Sequence, residues 1–400
     1  MSKRFNQKSL LVCALAGVTV ACGVAATPAI WRADLAITLE TNIPVVTRSI
    51  NGALFQAYKT GGHAELRKVS AAGTQEWRKT LPAQESVNHL SALSGGVIVA
   101  GATDGWSARY DNAGNLMWSL AVAPAGATTY DASDVINDRL VVSYASSDET
   151  AVVALGTNGA ELWRYSLDRS GENDVVIEKV ILLAGGNTIA LAHKGAEVTV
   201  IAIDASGNLL SQHTLTGTDI DVLSAYASGN NAYVIFDNAL QRLNNDGSVI
   251  WKKTIGVNSY CSSPSSDEIA CFKRDPAGTA MQWFQVNGGL RLAKTLPISD
   301  ATDLTYVGNQ QWVINSHAES AAAGSTPASV YWKLHVVNAN GDAPRTITLA
   351  PSNVSTLWPD YTYTSNGDGL PRLVSDGATV YVSGSTTLNH NAYLSAYSLK

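Results

Sequence analysis

The chain has 400 residues, of which 46% are hydrophobic and only 15% are charged, with 33 Gly, 15 Tyr and 10 Trp. This composition argues against a disordered chain and against a coiled coil. The formal net charge of −6 argues against a nucleic-acid-binding protein, because such a protein needs a basic surface.

Residues 1–26 have the features of an export signal. Lys3, Arg4 and Lys8 precede the apolar stretch Ser9–Ala21. At 13 residues this stretch is too short for a membrane-spanning helix, which needs about 20. We therefore expect residues 1–26 to be a leader and residues 27–400 to form a single domain.

Two cleavage sites compete at the end of the leader. The segment Thr19–Cys22 resembles a bacterial lipobox, in which Cys22 is lipidated and becomes the new N-terminus. Gly23 carries no inner-membrane retention signal, so lipidation predicts an anchor in the outer membrane that faces the periplasm. Val24–Ala26 is an ordinary small-residue cleavage site instead, and its use predicts a soluble periplasmic or secreted product.

Export agrees with the use of cysteine. Cys13 and Cys22 belong to the leader region, which leaves Cys261 and Cys271 as one pair. The two residues flank a Ser- and Pro-rich turn symmetrically, so a hairpin would place their sulfur atoms opposite each other. We predict a cross-strand disulfide, which an oxidising compartment permits. Two buried free thiols are the alternative.

A phrase recurs along the chain: a turn that ends in Gly, an aromatic residue four positions later, and an aliphatic residue four positions after that. The glycines are 41, 45, 48, 40, 41 and 53 residues apart, and the residue four positions before each of them is apolar. The seven copies begin at Gly73, Gly114, Gly159, Gly207, Gly247, Gly288 and Gly341.

Each unit between copies has the pattern of four short strands. In the second unit these are Ser86–Leu93, Gly96–Gly101, Trp106–Asp111 and Asn115–Ala121, separated by Gly, Asn and Asp turns. Four antiparallel strands in 40 to 50 residues are typical of one blade of a β-propeller. No segment after the leader shows helical periodicity, so we expect almost no helix.

The two ends of the chain complete the ring. Trp31 has the spacing of an outer strand without three strands before it, and the C-terminus supplies three strands without a fourth. These are Pro371–Ser375, Ala378–Ser385 and Asn391–Leu399. Seven copies and this composite blade predict an all-β, eight-bladed β-propeller whose last blade is closed by the N-terminal strand.

Over residues 27–400 the repeat resembles the pyrroloquinoline-quinone-type repeat propellers, whose outer strands carry the phrase Gly-x-x-x-Trp. The resemblance implies that the repeated tryptophans pack between neighbouring blades. These are Trp31, Trp77, Trp118, Trp163 and Trp251. Ser211, Leu292 and Arg345 take the place of Trp in three copies, so we expect different packing there.

The sequence shows no catalytic, cofactor-binding or metal-binding residues. The seven His lack metal-ligand spacing, and no nucleophile motif, phosphate loop, adjacent cysteine pair or haem motif occurs. The quinoprotein dehydrogenases of the resembled family need a quinone and calcium, and no calcium ligand set is recognisable. We therefore predict that the chain is not an enzyme and has no cofactor.

Two insertions depart from the repeat length, Ala318–Ala328 within the seventh blade and Pro351–Leu370 after it. The second contains Trp358, Tyr361 and Tyr363, which we predict to form a patch for a partner or ligand, because Trp and Tyr anchor interfaces. The alternative is that these rings cover the core of the propeller itself.

The resemblance implies a function of the non-catalytic branch of outer-membrane assembly lipoproteins. We expect a cell-envelope scaffold that binds envelope proteins, is attached to the membrane through Cys22 if that residue is acylated, is monomeric by itself and binds no nucleic acid. A secreted or surface module for a carbohydrate or small apolar ligand is the alternative. A quinoprotein dehydrogenase is the third hypothesis.

Overall fold

The computed structural model describes most of the chain from Thr27 onward. The described residues are 27–34, 45–48, 52–81, 84, 86–168, 175–194, 197–215, 222–256, 259–262, 268–275, 278–320, 329–343, 345–349, 352–353, 372–385 and 392–399. Every regular element among them is a β-strand, which confirms the all-β prediction. Within this part of the chain no helix is long and apolar enough to span a bilayer.

The strands are numbered in chain order, and the first four blades follow one another after β1 (Trp31–Asp34). Blade 1 contains β2 (Val45–Arg48), β3 (Leu54–Thr60), β4 (His63–Val69) and β5 (Gln75–Thr80). Blade 2 contains β6 (Val87–Leu93), β7 (Gly96–Gly101), β8 (Trp106–Asp111) and β9 (Leu116–Ala121). Blade 3 contains β10 (Thr128–Ala132), β11 (Arg139–Ala145), β12 (Glu149–Gly156) and β13 (Glu161–Asp168). Blade 4 contains β14 (Val176–Leu182), β15 (Thr188–Lys194), β16 (Glu197–Ile203) and β17 (Leu209–Leu215).

The second half of the chain forms the other four blades. Blade 5 contains β18 (Val222–Ser228), β19 (Asn231–Phe236), β20 (Ala239–Leu243) and β21 (Val249–Thr254). Blade 6 contains β22 (Ser259–Cys261), β23 (Glu268–Asp275), β24 (Gly278–Gln285) and β25 (Leu290–Leu296). Blade 7 contains β26 (Ala301–Gly308), β27 (Gln311–Ser320), β28 (Ser329–Asn338), β29 (Arg345–Thr348) and β30 (Ser352–Asn353). Blade 8 contains β31 (Arg372–Ser375), β32 (Thr379–Ser385), β33 (Ala392–Ser398) and β1.

The blades close into a ring around a central axis. The first strands of successive blades contact one another in order from β2 to β31, and β31 contacts β2 again. In blade 8 the N-terminal strand β1 pairs antiparallel with β33, so Trp31 lies opposite Ala396. This confirms the eight-bladed propeller and its closure by the N-terminal strand, which leaves no gap in the ring.

The core lies between the blades, because both faces of their middle strands are covered. Every residue of β7 is buried, and its sequence GVIVAG is a continuous run rather than an alternating one. In one such layer Val200 of β16 packs with Phe236 of β19 in the next blade, and in another Ile98 of β7 packs with Val153 of β12. Each of these buried aliphatic side chains contributes about 1.5–3 kcal/mol to stability.

The repeat tryptophans join neighbouring blades, as the resemblance implied. The Trp77 indole N–H donates to the carbonyl oxygen of Asn112 in blade 2, at 3.0 Å. The turn of blade 2 can approach so closely because Gly114 has no side chain and adopts a φ of 82°. A Cβ atom there would lie 2.9 Å from the Trp77 ring. The same contact joins Trp31 to Gly73, Trp118 to Gly159, Trp163 to Gly207 and Trp251 to Gly288.

The three junctions that lack the tryptophan are packed differently, as predicted. The Ser211 hydroxyl donates to the carbonyl oxygen of Asp246 in blade 5. Leu292 and Trp283 cover Gly341 together. At the end of the series Thr27 stands in for the repeat glycine, and its N–H donates to the Thr348 carbonyl oxygen at 2.7 Å. A small residue, a leucine beside a tryptophan of the third strand, or a backbone hydrogen bond thus replaces the repeat tryptophan at these junctions.

The predicted disulfide is present in blade 6. Cys261 of β22 lies directly opposite Cys271 of β23, and the two residues are joined by a disulfide with their Cα atoms 3.9 Å apart. Both residues are buried. The bridge therefore ties the three-residue inner strand β22 to its neighbour.

The first insertion is smaller than the sequence predicted. The two middle strands of blade 7, β27 and β28, are ten residues long, so residues 318–320 of the insertion continue β27. Residues 352–353 of the second insertion form β30 and pair with residues 329–330 of β28. Alternating small and polar residues are compatible with both loop and strand, and pairing with the neighbouring strand decides in favour of strand here.

Candidate functional site

The residues that the sequence singled out for function lie outside the described part of the chain. Cys22, the proposed lipidation site, belongs to residues 1–26. Trp358, Tyr361 and Tyr363, the proposed partner patch, belong to residues 354–371. Their roles stay predictions, and the candidate site must be sought among the described residues.

The inner strands carry a repeated irregularity. In five blades one extra residue interrupts the pairing of the first strand with the second, at the same level of the strand. Such bulges redirect side chains and are frequent next to functional sites. The residues that follow the interruptions are His89, Asp131, Lys179, Ser224 and Asp303. We call the polar groups at this level in blades 2 to 4 the axial layer.

Asp131 stands at the centre of the axial layer. One of its carboxylate oxygens accepts a hydrogen bond from the backbone N–H of Val180 in blade 4, at 2.9 Å. The other lies 3.9 Å from the Lys179 ammonium group. Burial raises the pKa of Asp131, and the nearby Lys179 and the Val180 N–H oppose that rise. The carboxyl group therefore links blades 3 and 4 at the axis.

His89 connects blade 2 to blade 3 in the same layer. Its Nε2 atom lies 3.2 Å from a carboxylate oxygen of Asp134. This hydrogen bond lowers the pKa of Asp134. The neighbouring Asn88 amide donates to the Thr129 carbonyl oxygen, at 2.8 Å.

A further contact between an acid and a histidine completes the axial layer within blade 4. His193 Nδ1 of β15 lies 3.1 Å from a carboxylate oxygen of Glu178 on β14. In blades 2 to 4 each of the carboxylates Asp131, Asp134 and Glu178 thus lies near a Lys or His side chain. The arrangement can hold three blades in register and can exchange partners with a polar ligand. It contains no nucleophile with an adjacent base.

In the quinoprotein dehydrogenases that the repeat resembles, the quinone is bound together with calcium, which takes 6–8 oxygen ligands. The axial layer does not suit such an ion, because Lys179 and His89 compete for its carboxylates. Across the described ranges no group of three or more His, Cys, Asp or Glu residues could hold a metal ion. These residues do not fit a calcium–quinone site.

A small cavity of about 260 Å³ lies apart from the axial layer, on the outer part of blade 6. Its lining includes Lys273, Met281, Gln282 and Lys294. Lys294 is engaged by Asp342 of blade 7, with a 2.6 Å contact. The cavity therefore offers little specific chemistry.

The axial layer was missed at the sequence level. Its signal is a charged or polar residue in the middle of each inner strand, in segments such as VNHLSAL and VIEKVIL. Aligning the inner strands on the repeat glycines would not have revealed it, because His89, Asp131 and Lys179 lie 16, 17 and 20 residues after the preceding repeat glycine. The bulges could not be read from the sequence, because they depend on pairing with the second strand.

The family profile described as outer membrane protein assembly factor BamB matches residues 23–198, which is less than half of the chain. No protein of curated function matches the chain by sequence. Among solved structures, a quinohaemoprotein alcohol dehydrogenase, ADHIIG from Pseudomonas putida HK5, is 11% identical with a TM-score of 0.53. That similarity covers 93% of this chain and 76% of the dehydrogenase. The Pan2 WD40 domain of Neurospora crassa is 11% identical, with 90% coverage of both chains and a TM-score of 0.47.

Proposed function

Since the chain is a pyrroloquinoline-quinone-type repeat β-propeller, we propose that it acts as a non-catalytic, protein-binding scaffold of the cell envelope. The observation that carries this proposal is the match of the BamB profile to residues 23–198. The matched segment includes blades 1 to 3 and the first strands of blade 4. The dehydrogenase similarity supports only the fold, because its identity is 11%.

The proposal includes a specific task, which is to assist the assembly of outer-membrane proteins from the periplasmic side. Three features support it: the predicted leader with its lipobox-like segment at Cys22, the profile match, and the Cys261–Cys271 disulfide, which suits an oxidising compartment. A large rigid ring also offers two broad faces to partners, and interfaces need about 800 Å² per partner.

The test is purification of the tagged full-length chain from detergent-solubilised envelopes, beside a Cys22→Ser variant. Under the proposal, components of the barrel-assembly machinery copurify with the wild type. The variant, which lacks the acyl anchor, recovers at most a tenth as much of them. Absence of reproducible envelope partners for the wild type would contradict the scaffold.

The dehydrogenase hypothesis has its own test. Purified protein is mixed with pyrroloquinoline quinone and calcium and then dialysed, and its absorbance spectrum is compared with that of a bovine serum albumin control. We expect no retained quinone absorbance, because the axial layer lacks a suitable ligand set. Stoichiometric retention with dye-linked alcohol oxidation would establish an enzyme instead.

A further inference from the structure

The exposed aliphatic residues of the propeller are not scattered. Ten large hydrophobic side chains of the described residues are exposed, and nine of them occupy only two positions of the repeat. These positions are two and three residues after the repeat glycine, just before the repeat tryptophan. We call the nine the aliphatic fringe: Ile30, Leu116, Met117, Leu162, Leu209, Leu210, Val249, Ile250 and Leu290.

A bulge explains why neighbouring residues in the fringe are both exposed. In blades 1 to 6 the third and fourth strands slip by one residue at this point. In blade 4, for example, Leu209 pairs with Ile203 while Leu210 is the extra residue, and both side chains are 46% exposed. In blades 2, 4 and 5 water therefore contacts two neighbouring aliphatic side chains, and in blades 3, 6 and 8 it contacts one, which is unfavourable unless another apolar surface covers them.

The fringe lies along the rim of one face. Eight of its members lie at the start of an outer strand, directly after the turn from the third strand, and Ile30 directly precedes the outer strand β1, so all nine share one end of the blades. Blades 2 to 6 carry them consecutively, and Ile30 supplies the same position in blade 8, opposite blade 4 in the ring. Nine contacts spread around the rim of a rigid disc match a flat apolar surface better than one globular protein domain.

The polypeptide before Thr27 joins the propeller at this same rim. Thr27 stands where the repeat glycine stands in other blades, and the next residues include the most exposed member of the fringe, Ile30, at 59%. The 26 residues before it contain the apolar stretch Ser9–Ala21 and Cys22. A membrane attachment there would bring the fringe to the bilayer.

The turns on this face lack the basic residues that attract anionic lipids, so they suit a bilayer whose lipids carry no net charge. The turns between the third and fourth strands of blades 1 to 7 contain Gly, Asn, Ser, Ala, Thr, Val, Pro and Asp, and no Lys, Arg or Glu. Acids such as Asp111 and Asp204 accept hydrogen bonds from backbone groups of their own turns. Anionic lipids are attracted by clustered Lys and Arg, and these turns supply none.

We propose that the aliphatic fringe lies on a zwitterionic lipid surface, so that the propeller rests flat on the membrane with this face down. The inference rests on the proposed envelope function and deepens it, because the opposite face then remains open to protein partners. Leu209, Leu210, Val249 and Ile250 insert at the level of the headgroups. The contact is hydrophobic rather than electrostatic.

The test measures binding of the full-length Cys22→Ser chain to vesicles of phosphatidylethanolamine and phosphatidylcholine by flotation. The fringe variant carries Leu209→Gln, Leu210→Gln, Val249→Gln and Ile250→Gln. The matched control is Tyr130→Gln, since Tyr130 is the tenth exposed large side chain and lies on inner strand β10. Residues 1–26 are identical in all of these proteins, so differences report on the fringe.

We expect the fringe variant to lose at least tenfold in vesicle partitioning, and Tyr130→Gln to bind unchanged. Binding of the parent should stay constant between 0.05 and 0.5 M salt, values chosen to span roughly a threefold change in Debye length. Gln75→Leu, which adds a fringe residue to blade 1, should strengthen binding without removing any contact of the core.

Unchanged binding of the fringe variant, or loss of parent binding at high salt, would overturn the proposal. Dissociation of a parent oligomer by the fringe substitutions would assign the fringe to a second copy instead. Cross-linking to envelope proteins is measured on the same variants and should persist. If the fringe variant loses those cross-links but still binds vesicles, the fringe is a protein interface. If the parent protein also shows no cross-links to envelope proteins, the scaffold proposal is wrong.

Discussion

At the scale of single residues, the pairing of five of the seven repeat glycines with a repeat tryptophan of the preceding blade sets how closely those blades approach. Position 114 requires glycine for two reasons: its φ is 82°, and the Trp77 ring occupies the space that a Cβ atom would need. Gly126 has a nearly equal φ of 84°, but a Cβ atom there would meet nothing within 4 Å. A substitution at Gly126 therefore reports backbone strain alone, whereas the same substitution at Gly114 reports backbone strain together with the packing against Trp77.

We predict that Gly114→Ala lowers the free energy of unfolding by about 1–3 kcal/mol more than Gly126→Ala does, because only the former forces a methyl group into the Trp77 ring. Urea unfolding followed by tryptophan fluorescence measures both. Adding Trp77→Ala to Gly114→Ala should remove most of the difference. Equal losses for the two glycines would show that the contact carries no strain.

His335 is the residue with the clearest pH dependence. It lies between the Ser316 and Thr346 hydroxyls, at 2.8 and 3.0 Å, on the middle strand of blade 7. Burial, assisted by the charge of Lys333, lowers the pKa of His335 from 6.5 to about 4. Between these values the unfolded chain binds more protons than the folded one, so folding stability falls as pH falls.

We therefore predict that the wild type loses about 2 kcal/mol of stability from this group between pH 6.5 and pH 4. His335→Gln should flatten the pH dependence in that window, while His213→Gln, a change at an exposed position of β17, should leave it intact. Thermal unfolding at half-unit pH steps decides between them. Parallel curves for the wild type and His335→Gln would contradict the assignment.

At the scale of elements, the repeat predicts where the strands lie, whereas the pairing between strands determines their full lengths and their bulges. In blade 2 the predicted strands match β6 to β9 to within one residue, because Gly, Asn and Asp mark each turn. The ten-residue strands of blade 7 were predicted too short, since their outer ends have no apolar alternation and form through pairing alone. The bulges of the axial layer depend on pairing in the same way.

Among the described inner strands β22 is the shortest, with three residues, and the disulfide joins it to β23. Cys261→Ser with Cys271→Ser should lower stability by about 2–3 kcal/mol, from the entropy of the closed loop. Reductant should lower the melting temperature of the wild type and leave that of the double variant unchanged. An unchanged melting temperature of the wild type after reduction, with the free thiols verified, would contradict this role.

At the scale of the whole molecule, closure of the ring depends on contacts between blades 1 and 8. The buried Gln56 amide donates to the Ser383 hydroxyl at 2.6 Å and accepts from the Arg67 guanidinium at 2.6 Å. Arg67 also donates to the Ala33 carbonyl oxygen of β1, at 3.3 Å. These polar groups fix the register of the N-terminal strand in a way that apolar packing alone would not.

We predict that Trp31→Ala opens this closure, whereas Trp118→Ala weakens only an internal junction. Amide hydrogen exchange should therefore accelerate at least tenfold in β1 and β33 for Trp31→Ala. Trp118→Ala removes the same ring from a junction whose strands are covalently continuous on both sides, and exchange in β1 should stay as in the wild type. Equal protection of β1 in both variants would argue against closure by this strand.

The ring architecture was predictable because it follows from a repeat, and each copy reports the same registered positions. The candidate site was not, because His89, Asp131 and Lys179 come from three blades and meet only when the ring forms. Function was the hardest property to predict from the sequence, since a propeller blade needs the same glycine and tryptophan whatever the ring binds.

The central claim is that the propeller serves as an envelope scaffold, and in-cell cross-linking of the tagged full-length chain tests it most directly. Mass spectrometry would identify both the cross-linked partners and the mature N-terminus. The account predicts barrel-assembly components together with an acylated Cys22. An unacylated product that begins at Thr27, with no reproducible partner, would contradict it.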